Sequence, residues 1–294
     1  MIKYSIIIPH FNRPDIIMNT INSFKKLKNK EIIIVDDVST AENLEKLKNN
    51  INNIRKKENI ILYSSKEKLY LSKARNIGLE LSKGEWIYFI DDDDEARTKF
   101  IKFLNKNKLN TKINVYRFPN IEKINGKFKG MILKYFPWNN KYSPQVSTFM
   151  FNRNFLIDNN LKFNENIKYG EDRYFQMELM NLNTKFKYKH IFSFNYNLYL
   201  SNNSMMRAKK ENCENNLICV DLALKSKFKN KRVFSLEMVV YDWFSVYKQG
   251  FYNDKKESLK IYKEYIKRIN PNFDIWLKMD SAGKFLYLYY LICK

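Results

Sequence analysis

Trp86-Ile87-Tyr88-Phe89-Ile90-Asp91-Asp92-Asp93-Asp94 is a run of five apolar residues stopped by four carboxylates. An unbroken apolar run this short reads as a strand buried on both faces, the kind that parallel sheets contain. The same pattern recurs upstream in Ser5–Ile8 before Pro9, in Glu31–Val35 before Asp36 and Asp37, and in Ile60–Tyr63. Helical spacing separates these runs. Ile17, Ile21 and Phe24 follow Pro14 and Asp15; Leu44, Leu47, Ile51 and Ile54 line a second helix, with Ser39 and Glu42 in a capping-box pattern; Leu71, Ala74, Ile77 and Leu81 line a third. Alternating strands and helices of this kind predict an α/β fold with a parallel sheet covered on both faces. Ligands of such sheets bind beyond the carboxyl ends of the strands. There the chain puts His10–Asn12, Asp36–Asp37 and Asp91–Asp94.

Further along, 98–165 is less regular, with a basic, turn-rich stretch around Glu122–Gly130. Gly170 precedes a helix predicted from Glu171 to about Met180, and beyond about 210 the pattern turns helical, with Leu217, Val220, Leu224 and Phe228 on one face and Leu259, Tyr262, Ile266 and Ile269 on another. The expected organisation is a domain over 1–210, split into a nucleotide-binding half (1–97) and an acceptor-side half (98–210), then a C-terminal helical region (211–294).

Composition removes several function classes. The seven glycines are too widely spaced for a P-loop or a GxGxxG fingerprint, and two histidines cannot build an HExxH site. Three cysteines without CxxC spacing suggest free thiols in a reducing cytoplasm. With 53 Lys and Arg against 31 Asp and Glu the formal net charge is +22, which favours polyanions: nucleic acid, a sugar nucleotide, or an anionic membrane face. The N-terminal residues do not read as a signal peptide, and no stretch reaches the ~20 apolar residues a bilayer requires, so a soluble or peripheral protein is expected.

Four adjacent like charges are costly unless solvated or neutralised by a cation. Carboxylate oxygens suit Mg²⁺ or Mn²⁺, which typically takes one or two of them together with substrate phosphates. A run placed at the ligand-binding edge of a sheet, in an otherwise basic chain, therefore points to metal–nucleotide binding more than to a solvated acidic loop.

Taken in order, Ser5-Ile6-Ile7-Ile8-Pro9-His10-Phe11-Asn12-Arg13, Ile34-Val35-Asp36-Asp37-Val38-Ser39-Thr40, Ala74-Arg75-Asn76-Ile77-Gly78-Leu79 and Gly84 through Asp94 resemble the successive motifs of the family 2 glycosyltransferases. A weaker match resumes at Gly170-Glu171-Asp172, so the resemblance covers roughly the first 200 residues. It implies the GT-A fold, a Rossmann-like and mostly parallel sheet with flanking helices. It also implies a donor site that includes Pro9, in which Phe11 lines the base pocket and Asp37 bonds the uracil imide, with Asp36 structural or on the ribose side. Arg75 would approach the diphosphate, Asp91 and Asp92 would touch the ribose and the metal's water shell, and Asp93 would bind Mn²⁺ or Mg²⁺. Asp172 would be the catalytic base. The chain departs from the family at His10, commonly threonine or serine, and at Val38, commonly glycine.

The chemistry agrees with those roles. A divalent cation stabilises a departing diphosphate as a Lewis acid, and a positioned carboxylate takes the proton of the attacking hydroxyl. Ser201–Arg207 reads either as a loop closing over the donor, with Arg207 on its phosphates, or as a connector. His190, Trp138, Tyr142 and Trp243 read as structural. The expected function is metal-dependent, inverting hexosyl or N-acetylhexosaminyl transfer from a UDP-sugar to a glycan or lipid-linked acceptor, which the resemblance sets in bacterial lipopolysaccharide, capsule or related surface polysaccharide. The alternatives are a sugar-phosphate nucleotidyltransferase, whose glycine- and lysine-rich signature is missing, and a basic nucleic-acid-binding protein; no nucleic-acid partner is expected. Lys284–Lys294, apolar between lysines, would touch the inner face of the cell membrane, a partner subunit of a homodimer, or the catalytic domain.

Overall fold

A computed structural model of the chain describes residues 2–55, 58–106, 109–118, 121–124, 127–128, 146–168, 170–182, 187–190, 196–200, 210–227, 229–249, 255–279 and 281–293. They fall into two compact units. The first takes the described residues of Met1–Lys134, Gln145–Glu165 and Leu182–Ser201, the second those of Asn166–Asn181 and Asn202–Lys294.

In the first unit β1 (Tyr4–His10), β2 (Lys30–Asp36), β3 (Ile60–Ser64) and β4 (Trp86–Phe89) alternate with α1 (Ile16–Ser23), α2 (Ala41–Arg55) and α3 (Tyr70–Leu81). Then come β5 (Glu95–Ala96), α4 (Thr98–Lys106), β6 (Val115–Arg117), β7 (Ile121–Ile124), β8 (Lys127–Phe128), β9 (Phe149–Asn152), α5 (Arg153–Asp158), and later β10 (Tyr188–His190) and β11 (Tyr196–Leu200). The main sheet has the order β10-β6-β9-β4-β1-β2-β3, with β9 antiparallel to both its neighbours and the remaining pairs parallel. A smaller sheet runs β5-β11-β7-β8.

The alternation of β1 explains how both sheet faces are buried. Ile6, Ile8, Ile32, Ile34, Trp86 and Tyr88 pack with Ile17, Ile21 and Phe24 of α1 and Phe100, Ile101 and Leu104 of α4. Ile7, Ile33 and Phe89 are buried on the opposite face, the side of α3. Pro9 was expected to end the first strand, yet β1 continues to His10, which pairs with Asp36. Ile7 accepts a bond from Ile90 N–H at 3.1 Å on the β4 side, and by the period of two Pro9 faces the same way. The β4 register stops at Phe89 opposite Ile7, so the missing proline N–H leaves no ladder bond unmade.

Two local expectations change. Ser39 does not cap α2; Thr40, the residue before Ala41, does, accepting from Asn43 N–H at 3.4 Å, while the Ser39 oxygen accepts from Asn12 N–H at 2.8 Å and its hydroxyl donates to Asp36. And the buried face of α3 is more polar than its periodicity suggests, carrying Ser72, Arg75 and Asn76 beside Ala74 and Leu79. Asn76 binds Phe163 in both directions, Oδ1 accepting from Phe163 N–H at 2.9 Å and Nδ2 donating to Phe163 O at 2.9 Å.

Beneath the sheet's other end Glu31 Oε1 accepts from Ser5 Oγ at 2.6 Å, Lys83 N–H at 2.6 Å and Gly84 N–H at 3.1 Å. A Cβ on Gly84 would lie 2.6 Å from the Ser5 nitrogen and 2.7 Å from the Tyr4 carbonyl carbon, backbone atoms that cannot give way. Gly84→Ala is accordingly expected to lower stability by roughly 1–3 kcal/mol, read as a fall in melting temperature.

The second unit holds α6 (Glu171–Met180), α7 (Lys210–Lys225), α8 (Lys231–Gln249), α9 (Lys255–Ile269), α10 (Phe273–Lys278) and α11 (Ser281–Cys293). Its core takes Tyr174 and Met177 from α6, Leu217 and Val220 from α7, Leu236 and Val240 from α8, and Tyr262 and Ile266 from α9. Trp243 lies in that core with its ring edge-on to Tyr290, the structural role expected of it. On α11 Leu286 and Tyr290 are buried while Leu288, Leu291 and Ile292 are exposed. Among the described residues no helix is long and apolar enough to cross a membrane.

Candidate active site

Beyond the carboxyl ends of β1, β2 and β4 three loops are tied to one another. After β1 the backbone turns at Asn12, whose φ of 55° suits asparagine better than most residues. Asn12 N–H donates to Ser39 Oγ at 2.8 Å, and its Oδ1 accepts from Thr40 N–H at 2.8 Å and Asn43 Nδ2 at 3.2 Å. Asp36 is fully buried and accepts from the Ser39 hydroxyl, from Ser39 N–H at 3.2 Å and from Ser64 Oγ at 3.3 Å, which makes it the pin of the turn after β2. Val38 stands in that turn at φ 60°, a conformation a β-branched residue adopts only under strain and glycine adopts freely. The departure from the family's glycine thus has a backbone cost.

Pro9 is buried at the strand end, and Phe11 beyond it is 43% exposed. The Lys68 ammonium sits 3.5 Å from the Phe11 ring centroid and 2.9 Å from Asp37 Oδ2. Asp37 also accepts the backbone N–H of Leu69 and, at 3.2 Å, that of Tyr70. So Phe11 and Asp37 come together, with Lys68 as the neighbour that local spacing did not reveal.

Arg75 projects from α3 nearly buried, and its Nη2 donates to Asp91 Oδ1 at 3.0 Å while the Asp91 side chain stays 45% exposed. Asp92 turns inward instead, 1% exposed. One of its oxygens accepts from His10 Nδ1 at 2.9 Å, the other from Arg13 Nη2, and its carbonyl accepts from Thr20 Oγ1 at 2.8 Å. Arg13 Nη1 reaches on to Asp93 Oδ2 at 2.7 Å. Burial works against the Arg13 charge, but Asp92, Asp93 and Asp91 outweigh it and hold the guanidinium above its ordinary pKa. Asp93 is pushed up to about 6 by burial and by the Asp91 charge, with Arg13 pulling the other way.

That imbalance tests whether a divalent cation fits. Even with Arg13 attached, ionised Asp93 is disfavoured where it stands, and a cation would relieve it. Among the described residues no group of three or more His, Cys, Asp or Glu is arranged to hold a metal. A nucleotide-bound Mg²⁺ or Mn²⁺ needs only one or two carboxylates, the phosphates supplying the rest, so the donor set fits such an ion.

In the second unit Gly170, at φ 76°, opens α6, and Glu171 and Asp172 occupy its first turn. Negative charge at that end of a helix interacts favourably with the helix dipole. Glu171 is buried, Asp172 is half-buried, and Asp172 Oδ1 accepts Arg173 N–H at 2.9 Å. Arg207, Trp138, Tyr142 and the side chain of His190 lie outside the described residues.

Comparison with known proteins adds the following. The family model described as "Glycosyl transferase family 2" matches residues 5–182. Poly(ribitol-phosphate) beta-N-acetylglucosaminyltransferase TarP of Staphylococcus aureus (strain N315) is 30% identical over 204 residues, 62% of this chain and 58% of that protein. Amylovoran biosynthesis glycosyltransferase AmsB of Erwinia amylovora is 35% identical over 97 residues, 32% of each. The matches thus span about half of one relative and a third of the other. Among solved structures, S. aureus TarS 1–349 in complex with UDP-GlcNAc superimposes with a TM-score of 0.67 at 19% identity, covering 97% of this chain and 86% of that one. This likeness establishes the fold, the mostly parallel GT-A sheet with flanking and C-terminal helices that the motifs led one to expect.

Proposed function

The chain belongs to glycosyl transferase family 2, and from that membership we propose that it transfers a hexose or N-acetylhexosamine, with inversion, from a UDP-sugar to a hydroxyl of a cell-surface glycan or its lipid-linked precursor. The observation that carries this reading is the convergence of Phe11, Asp37, Arg75, Asp91 and Asp93 at the carboxyl edge of the parallel sheet of the first unit. The UDP-GlcNAc bound by TarS 1–349 and the names of TarP and AmsB support a UDP-sugar and a surface polymer.

In this reading Pro9 and Phe11 border the base, which takes a ring face in competition with Lys68, and Asp37 recognises its imide. Asp91 meets the ribose and Arg75 the diphosphate. Asp92, turned inward, serves the donor through its hold on His10 and Arg13. Asp93 would hold Mn²⁺ or Mg²⁺, which when bound supplies Lewis-acid stabilisation of the leaving diphosphate. Asp172 takes the proton of the acceptor hydroxyl as that oxygen bonds to the anomeric carbon, and the bond from that carbon to the diphosphate oxygen breaks, releasing UDP. Attack opposite the leaving group inverts the anomeric centre.

The test is a screen of UDP-sugars for hydrolysis to UDP with and without Mn²⁺. One UDP-sugar turned over in preference to the others, and only with the metal, is the expected result. Absence of turnover and of UDP binding would overturn the reading.

A further inference from the structure

Arg13 occupies an unusual place for a residue beside a metal carboxylate. Its guanidinium bridges Asp92 and Asp93, and the two ends of that bridge differ. Asp92 is 1% exposed and is fixed by His10 Nδ1 at 2.9 Å and, through its carbonyl, by Thr20 at 2.8 Å. The Asp93 side chain is 18% exposed, and its bond to Arg13 Nη1, at 2.7 Å, is the only one of these contacts that ends on an outward-facing carboxylate. His10 is itself buried, and its Nε2 has no partner among the described residues, so the imidazole's one bond serves Asp92. The fork geometry of arginine matches this double engagement, which a point charge could not reproduce.

We propose that Arg13 is a resident counter-cation, which holds Asp93 while no donor is bound and yields that carboxylate when nucleotide and divalent cation arrive together. The inference rests on the reading that Asp93 takes the metal. Its consequence is ordered binding. With Arg13 on Asp93 and Arg75 on Asp91, an incoming ion must compete with a resident guanidinium for each of those carboxylates. A diphosphate brings the ion further oxygen ligands and offers the guanidinium groups another anion, and so tips that competition towards the metal. His10 and Asp92 act as positioning residues: they keep the guanidinium from following the metal's ligand outward.

The experiment measures free Mn²⁺ by electron paramagnetic resonance against the full chain, with and without UDP, alongside the melting temperature of each protein. In the wild type, Mn²⁺ uptake should be weak alone and strengthened by UDP. Arg13→Gln should bind Mn²⁺ without UDP ~10-fold or more tighter, the order expected for a unit charge and a divalent one sharing a carboxylate in a dielectric near that of water. Arg13→Lys, which keeps the charge but cannot bridge both carboxylates, should shift in the same direction by a smaller factor, and it serves if the glutamine variant does not fold. Mn²⁺ affinities unchanged or weakened in the folded variants would overturn the counter-cation role. Loss of the metal reading itself looks different: Mn²⁺ uptake with UDP would then be absent in the wild type or untouched by Asp93→Asn, and both conclusions would fall.

Discussion

Asp93→Asn is expected to lose sugar transfer by ~10²-fold or more, the order lost when one preorganised charge-stabilising group is removed, while the metal-free protein melts no lower than the wild type. The two halves of this expectation have one cause. Burial and the Asp91 charge raise the Asp93 carboxyl to about 6 from an ordinary 3.8. A carboxyl with a raised folded-state pKa binds a proton in the fold that the unfolded chain has released. Its contribution to stability is therefore lost as pH rises from near 4 through about 6. Above that window the ionised group weighs against the metal-free fold, and asparagine removes the weight. The variant should flatten the pH dependence of melting between those limits, and Mn²⁺ should no longer raise its melting temperature in the presence of UDP. A structural role for Asp93 demands the opposite, a lower melting temperature at neutral pH with activity falling in proportion. Wild-type turnover in chelator would remove the metal from the mechanism.

How much of this could be read from the sequence depends on how local each cause is. The strands and helices of the first unit show themselves because burial on both faces produces continuous apolar runs, and Ile6, Ile7 and Ile8 are all buried as that predicts. The loop residues follow from the strands, since the carboxyl edge of a parallel sheet is fixed once the strands are known. What stayed hidden depends on which strand lies beside which. His10 and Asp92 are 82 residues apart, and they meet because β1 and β4 pair in parallel with Ile7 opposite Phe89. One signal was available: an acidic run at a buried strand end needs cations, and His10 ends the neighbouring strand with Arg13 close behind it. Lys68 on Phe11, and the buried polar face of α3, needed the tertiary structure outright. Ser39 shows the limit of a pattern: the capping box was present in sequence, but α2 starts one residue later and the Ser39 oxygen accepts Asn12 N–H instead.

Asp172→Asn should separate chemistry from donor binding. The amide matches the carboxylate in size and shape but cannot take a proton, so transfer is expected to fall by roughly the 10²–10⁴-fold typical of losing a general base. UDP with Mn²⁺ should bind as in the wild type, because the proposed contacts to base, ribose and diphosphate come from Phe11, Asp37, Asp91 and Arg75, all outside α6. Glu171 remains in the first turn of α6, and an amide oxygen still accepts Arg173 N–H, so the weakened interaction with the helix dipole should cost no more than about 0.5 kcal/mol. A residue serving only that dipole predicts the reverse: turnover near normal and the same small loss of stability. Transfer rate, UDP affinity by calorimetry and melting temperature on this one variant therefore decide the matter. Normal turnover would take Asp172 out of the reaction and make Glu171 the next carboxylate to test. That residue is 5% exposed, which leaves an acceptor hydroxyl little access to its carboxylate.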